Sequence, residues 1–336
     1  MANPELKTTV LSTAMKTLYE RRLLSRAIPR LVHGRHAEEP MIARGYNAYE
    51  FRRYPSLPLV STTLSEGVTP TESTYSAPTI ITVTPNFYGA WIGFSDIVEL
   101  ESYDPILSIL AGVFGEQVGV SFDTIIRDTL HTGASVMRAN NKASDGVLDS
   151  PSDNLSYKDL VRLMAEMEQR GAMPVEGDKY MLILHPYAYM SLLTDPTFVA
   201  MFQHEETSGD SAIRTGYVGT LLRMNVYVSG NAKVYADTGT GGDDVYAALL
   251  IGREAYGILG LSGIPKPSFP DTQSPEGSPL TGKTLKPVDL IVKPVGSSGA
   301  ADPLNQRGSI GWKAAMTVTV LNNNWVVSYR HTTDVV

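Results

Sequence analysis

Cysteine is absent from this 336-residue chain. A disulfide framework, a thiolate metal site and a cysteine nucleophile are therefore excluded, and the fold could form in a reducing compartment. Long hydrophobic runs are missing as well. None reaches the roughly 18 to 20 residues that span a bilayer, and the best, 245–261, is interrupted by Arg253 and Glu254. Residues 1–10 hold no apolar signal core. Positive charge is in deficit, with a net charge of −7, which argues against a surface that grips nucleic acid throughout. The expectation is a soluble, intracellular chain with no membrane partner. Hydrophobic residues at 43% and charged residues at 19% are globular values. The length suits about two domains with a sizeable core.

Motifs for chemistry are sparse. His33 and His36 are three apart, but no acidic or thiol partner stands in register for zinc. His185, Ser191 and Asp195 imitate a hydrolase triad without a nucleophile elbow. Gly239, Gly241 and Gly242 precede Asp243 and Asp244, yet there is no P-loop Lys-Ser/Thr and no EF-hand spacing. Glu99 with Glu101, and Glu205 with Glu206, are ordinary surface carboxylate pairs. The 17 tyrosines suit strand packing or wet interfaces. No catalytic, cofactor or metal residue is assigned.

The pattern of elements is more informative. Leu18, Leu23, Leu24, Ala27, Ile28 and Leu31 recur at helical spacing, with Arg21, Arg22, Arg26, Arg30 and Arg35 on the other positions. This basic segment reads either as a solvated face or as an arm lying on an acidic neighbour or facing nucleic acid. Residues 46–54 alternate as a strand, with return strands at 79–85 and 86–92. Between them, 61–76 is rich in Thr, Ser, Glu, Gly and Pro and has almost nothing apolar to bury. An isolated hairpin is marginal in water, so this one must rest on something. Asp104 and Pro105 open a long helix expected to reach about Arg138. Its apolar face is expected along Ile106, Ile109, Leu110, Val113, Val118, Phe122, Ile125, Ile126 and Leu130. A second helix spans 155–170 and stops at Gly171, and another is expected over 196–203. Strands follow at 180–184, 224–228, 245–251 and 286–293. Residues 262–283 form a Pro-rich insertion, and 316–320 and 325–329 read as a terminal hairpin turning at Asn322–Asn324.

Several ordered blocks resemble a known family: Phe51-Arg-Arg-Tyr54, Thr63-Leu-Ser-Glu-Gly-Val-Thr-Pro70, residues 88–96, Gly115-Glu-Gln117, residues 123–128, His185-Pro186 and the long run 292–313. Together they resemble the major capsid proteins of tailed bacteriophages, in the N4-like branch. The resemblance implies an α+β fold with an N-terminal arm (1–45), an extended β-hairpin loop (46–98), a peripheral domain with a long spine helix (99–177 and 294–336) and an α/β axial domain (178–293) containing the insertion. The spine helix and 155–170 would pack together against the C-terminal strands. The implied function is self-assembly as hexamers and pentamers into an icosahedral shell around double-stranded DNA, in a virion built in the bacterial cytoplasm. DNA would be touched weakly, through Arg30 or Arg35. A separate scaffolding protein, a portal and a decoration protein are the other expected partners. Expected intersubunit contacts are Arg21, Arg22 and Arg26 in the arm, Arg52, Arg53, Glu66 and Glu72 in the loop, and Asp302, Arg307 and Trp312. The rival readings are an α/β hydrolase-like enzyme and a carbohydrate-binding virion component.

Overall fold

The computed structural model describes residues 22–23, 26–27, 31–42, 46–55, 57, 59–61, 63–69, 72–101, 106–195, 197, 217–261, 288–296 and 302–333. The first half contains β1 (Met41–Ile42), β2 (Tyr49–Arg53), β3 (Thr79–Val83), β4 (Asn86–Ser95), α1 (Asp96–Glu101), α2 (Ile106–Gly133), β5 (Ser135–Arg138) and α3 (Tyr157–Gln169). Then come β6 (Tyr180–Leu184), α4 (Pro186–Thr194), β7 (Tyr217–Leu221), β8 (Met224–Val228), β9 (Val234–Tyr235), β10 (Val245–Ile251), β11 (Tyr256–Leu261), β12 (Asp289–Lys293), β13 (Arg307–Val320) and β14 (Val326–His331).

Strands that are apolar at every position need cover on both faces, and β6 and β10 are buried throughout. They lie in a seven-stranded sheet ordered β5-β14-β10-β6-β8-β7, with β9 beside β10. One face, through Met181, Ile183, Leu249 and Ile251, meets α2; the other, through Leu182, Leu184, Ala248 and Leu250, meets α3 and α4. The five-stranded sheet is built on β13, which pairs with β4 on one side and with β11 and β12 on the other. Its inward side chains Ile310, Trp312, Ala314, Met316 and Val318 close over α2. The long helix is thus held between two sheets.

α2 ends at Gly133 rather than near Arg138, because β5 begins at Ser135. Its length and composition would let it cross a membrane, and half of that apolar window is buried inside the molecule. Its buried stripe runs Ala111, Phe114, Val118, Phe122, Ile126 and Leu130, while Ile109 and Val113 face outward. Asp104, Pro105 and most of 196–203 fall outside the described residues, whereas α3 starts at a Ser156–Asp159 capping box and stops before Gly171 at φ +65°.

Three expectations are corrected. Residues 316–320 and 325–329 are not a hairpin, since β13 and β14 enter different sheets. β4 does not extend the β2–β3 hairpin but pairs with β13 over ten residues. α3 lies on the opposite face of the seven-stranded sheet from α2, not beside it. Sheet membership also crosses the expected domain boundaries: β5 and β14 join β6, β8 and β10, while β11 and β12 join β13.

β11 and β12 lie along the same side of β13, with Gly260 opposite Met316 and Asp289 opposite Lys313. The Pro-rich insertion therefore interrupts a single line of strand and leaves the sheet's hydrogen bonding on either side intact.

The described apolar residues of the basic N-terminal segment pack into their own chain. Leu23, Ala27, Leu31 and Val32 are buried, and a Cβ on Gly115 would stand only 2.3 Å from the Leu23 carbonyl oxygen. Asp123, wholly buried on α2, accepts from the Val32 and His33 amides, the Asn231 Nδ2 and the His33 ring at Nδ1, all at 2.8 Å. Burial pushes its carboxyl up, but the His33 charge and these hydrogen bonds outweigh that and hold it below the ordinary value. Tyr256 Oη donates to the His33 carbonyl at 2.7 Å, and Arg35 is buried over the Tyr227 ring. His33 is therefore a structural residue, and the Arg35 side chain is taken up by contacts within its own chain.

Candidate subunit interface

Among the described residues, the β2–β3 hairpin is seated on its own chain at its base. Ile42, Val83 and Leu259 form a small cluster with Tyr49, Phe51, Ile81 and Leu261, and the Phe51 ring lies over Gly257, where a Cβ would be 2.8 Å from Cζ. Beyond this cluster the chain turns polar and the apolar side chains lose their cover. Tyr54, Leu57, Leu59, Val60, Leu64, Val68 and Tyr75 are exposed, Leu59 by 92%. Residues that scatter singly over a surface need no explanation, but seven on one projecting segment do. Glu66 sits at the turn closed by the Val68 amide and the Ser65 carbonyl, with Gly67 at φ +75°. From 54 to 95 the only charges are Glu66 and Glu72.

A second uncovered surface lies on the five-stranded sheet, on the face turned away from α2. Phe87, Trp91 and Ile291 project there beside Lys293, Ser309 and Lys313, lining an open groove of about 580 Å³. Trp91 is 75% exposed. Its depth comes from glycine: a Cβ on Gly311 would lie 2.7 Å from the Trp91 Cβ. The signal was available in the alternation of β4, whose even positions Tyr88, Ala90 and Phe94 pack on the core, leaving Phe87 and Trp91 opposite. Assigning those two to an outer face required knowing that β13 was the partner.

The expected contact residues divide into two groups. Glu66 and Glu72 are exposed on the hairpin, and Arg52 pairs with Glu50 on the same strand at 3.1 Å. Arg53 donates to Asn322 Oδ1 at 3.1 Å, and Arg307 is exposed at the start of β13. The others have partners within their own chain, Arg22 and Arg26 at exposed positions and Asp302 and Trp312 at buried ones. Arg22 donates to Ser108 Oγ at 2.6 Å, and Arg26 lies 3.7 Å from Glu116, both on α2. Asp302 is buried and accepts from the Arg307 amide. Trp312 is buried against Phe122, with Nε1 donating to Gln117 Oε1 at 3.1 Å. Arg21 falls outside the described residues. His185, Ser191 and Asp195 are not assembled for catalysis: His185 caps α4, Ser191 Oγ donates to the Tyr187 carbonyl, and Asp195 accepts from the Tyr157 amide.

A family model described as phage capsid protein matches residues 79–327. Among solved structures, the capsid of cyanophage Pam1 is similar at TM-score 0.63 and 12% identity, over 92% of each chain. The capsid of cyanophage P-SCSP1u has TM-score 0.61 and 12% identity, over 89% of this chain and 87% of that one. The capsid of Ralstonia phage GP4 has TM-score 0.60 and 12% identity, over 100% and 97%. No curated protein sequence matches. At such identity the structural likeness is one of fold.

Proposed function

The chain belongs to the phage capsid protein family, and from that membership we propose that its hexamers and pentamers close into an icosahedral shell around double-stranded DNA. It is a structural protein of the virion capsid with the tailed-phage major capsid fold. In this reading the seven-stranded sheet with α3 and α4 is the axial domain, so that domain recruits β5 and β14 from beyond the limits 178–293. The five-stranded sheet with the spine helix α2 is the peripheral domain. Residues 46–85 are the extended loop, and the segment before 45 is an arm whose described part clasps its own subunit. The N4-like placement rests on the ordered sequence blocks.

The observation that carries this reading is the hairpin's distal segment, which exposes seven large apolar side chains and, among the described residues, packs on its own subunit at the base. Apolar surface covered on association contributes roughly 25 cal/mol per Å² before the ordering costs, and that cover is supplied here by a sister molecule. Exposed ion pairs add about 1 kcal/mol or less each, so Arg52, Arg53, Glu66, Glu72 and Arg307 act through repetition around the shell. The acidic balance suits a container whose lining must let DNA enter and leave. Scaffolding, portal and decoration proteins complete the assembly in the host cytoplasm, and no catalytic step is assigned.

Deleting Thr62–Thr74 tests the proposal. The variant is expected to remain a folded subunit by circular dichroism while forming no shells by negative-stain microscopy. Normal particles from the deletion would contradict it.

A further inference from the structure

We propose that the last turn of α2 is an acid-gated joint: protonation of His131, the buried histidine that ties this turn to β14, unfastens the helix from the seven-stranded sheet while both sheets stay folded. That the helix is the spine and the sheet the axial domain rests on the capsid reading above; the joint itself does not. The turn stands where the two sheets meet. A Cβ on Gly133 would lie 2.6 Å from Val320 Cγ2, at the end of β13, and His131 Nδ1 meets Ser328 Oγ in β14 at 2.9 Å. The chain then passes into β5, which pairs with β14. As a helix the turn is locally weakened. The Thr129 and Thr132 hydroxyls donate back to the Ile125 and Asp128 carbonyls at 2.8 Å, a bond that slightly destabilises helices.

The surroundings of His131 offer a proton no stable place. Its Nε2 is buried and has no hydrogen-bond partner among the described residues. Arg127 one turn back on α2, Arg330 on β14 and Lys233 ahead of β9 bring positive charge to it, and His33 faces it from the N-terminal segment. The nearby acids are already engaged: Asp128 accepts from Arg127 and Lys233, and Asp145 from Arg138 and Arg330. Burial, and after it His33, Arg127, Arg330 and Lys233, hold the ring down to about 3. Closed, the ring is neutral; opened to water it ionises near pH 6.5. Below pH 6.5 the open state binds the extra proton, so opening becomes about tenfold easier with each pH unit, down to about pH 3. The backbone ladders from β14 to β10 and β5 take no part in this contact, so the turn can leave without breaking the sheet. His331 packs against Tyr246 and Tyr329 instead, and is no part of the joint. A subunit so built can re-angle its helix against that sheet in mild acid.

The test is hydrogen exchange of the full-length, unassembled chain at pH 7, 6 and 5, corrected for intrinsic rates. Amides 128–133 are expected to be less protected than 310–318 throughout, and to lose about tenfold in protection per pH unit below 6.5. H131Q should remove that loss at 128–133. Protection there that ignores pH would overturn the proposal, and so would a loss that persists in H131Q. Protection equal to that of 310–318 would also overturn it, because the turn would then open only when the whole chain unfolds. Should H131Q fail to fold, the ring resonances of His131 in the unaltered chain decide instead. No titration between pH 7 and 5 supports the closed neutral ring, and an ordinary titration near 6.5 overturns it. None of these measurements needs shells, so a chain that forms none counts against the capsid reading alone.

Discussion

Buried histidine is the most consequential feature at the scale of single residues. His131 Nδ1 meets Ser328 Oγ at 2.9 Å, and His331 Nδ1 meets the Thr332 carbonyl at 2.8 Å. Burial, the largest cause in each case, holds the His131 ring down to about 3 and the His331 ring down to about 4. The unfolded chain takes up those protons near pH 6.5. Between the two limits the unfolded state binds more protons, so the contribution is complete above about pH 6.5 and is lost as the pH falls towards 4. Each histidine costs about 1.4 kcal/mol per pH unit in that window. Urea midpoints of unassembled subunits at pH 7, 6 and 5 should fall accordingly, and H131Q should flatten the slope by about one proton. A midpoint independent of pH would show that these rings are not buried neutral. None of this was legible in the sequence, where His131 and His331 are unremarkable; only packing removes their water.

At the scale of elements, glycine on α2 separates propensity from packing. Replacing glycine by alanine in a helix interior is favourable by about 1 kcal/mol when nothing obstructs it. At Gly112 the new Cβ would meet the flexible Arg26 side chain at 3.2 Å, whereas at Gly115 it would meet the Leu23 carbonyl oxygen at 2.3 Å, a backbone atom that cannot step aside. G112A is expected to leave the melting temperature unchanged or raised. G115A is expected to lower it and to loosen the segment around Leu23, read as faster hydrogen exchange there; equal melting of the two variants would refute the close clasp. The helices were legible where local chemistry decides them. α3 has its capping box and Gly171, both readable from residue type and spacing. The face of α2 was half legible: Val118, Phe122, Ile126 and Leu130 are buried as their spacing suggests, but Ile109 and Val113 are outside and Ala111 and Phe114 inside. An apolar arc wider than the contact leaves the rotation open until a partner is known.

The whole molecule is a core with a projection, and the two should differ in protease sensitivity. Leu57, Leu59 and Val60 are exposed on the hairpin, whereas residues 31–36 are tied to α2 and β11. Limited proteolysis of dilute subunits should cut within 57–77 and spare 31–42. In assembled shells the same stretch should resist cleavage. Equal resistance in the dilute subunit would mean that the hairpin needs no neighbour.

Residue order alone determined the absence of thiol chemistry, the hairpin at 49–83, the long apolar helix, the strands too apolar to face water and the set of blocks that resemble capsid proteins. These depend on composition and on periodicity within a few neighbours. The sheet partners of β4, β13 and β14, the own-chain partners of Arg22 and Arg26, the burial of Asp302 and Trp312, and the groove around Trp91 were decided by tertiary structure. Each joins residues far apart in the chain, with Trp91 opposite Gly311 and Arg22 against Ser108. Local pattern states that a face is apolar; only the closed sheet states which face it meets and which is left for a neighbour.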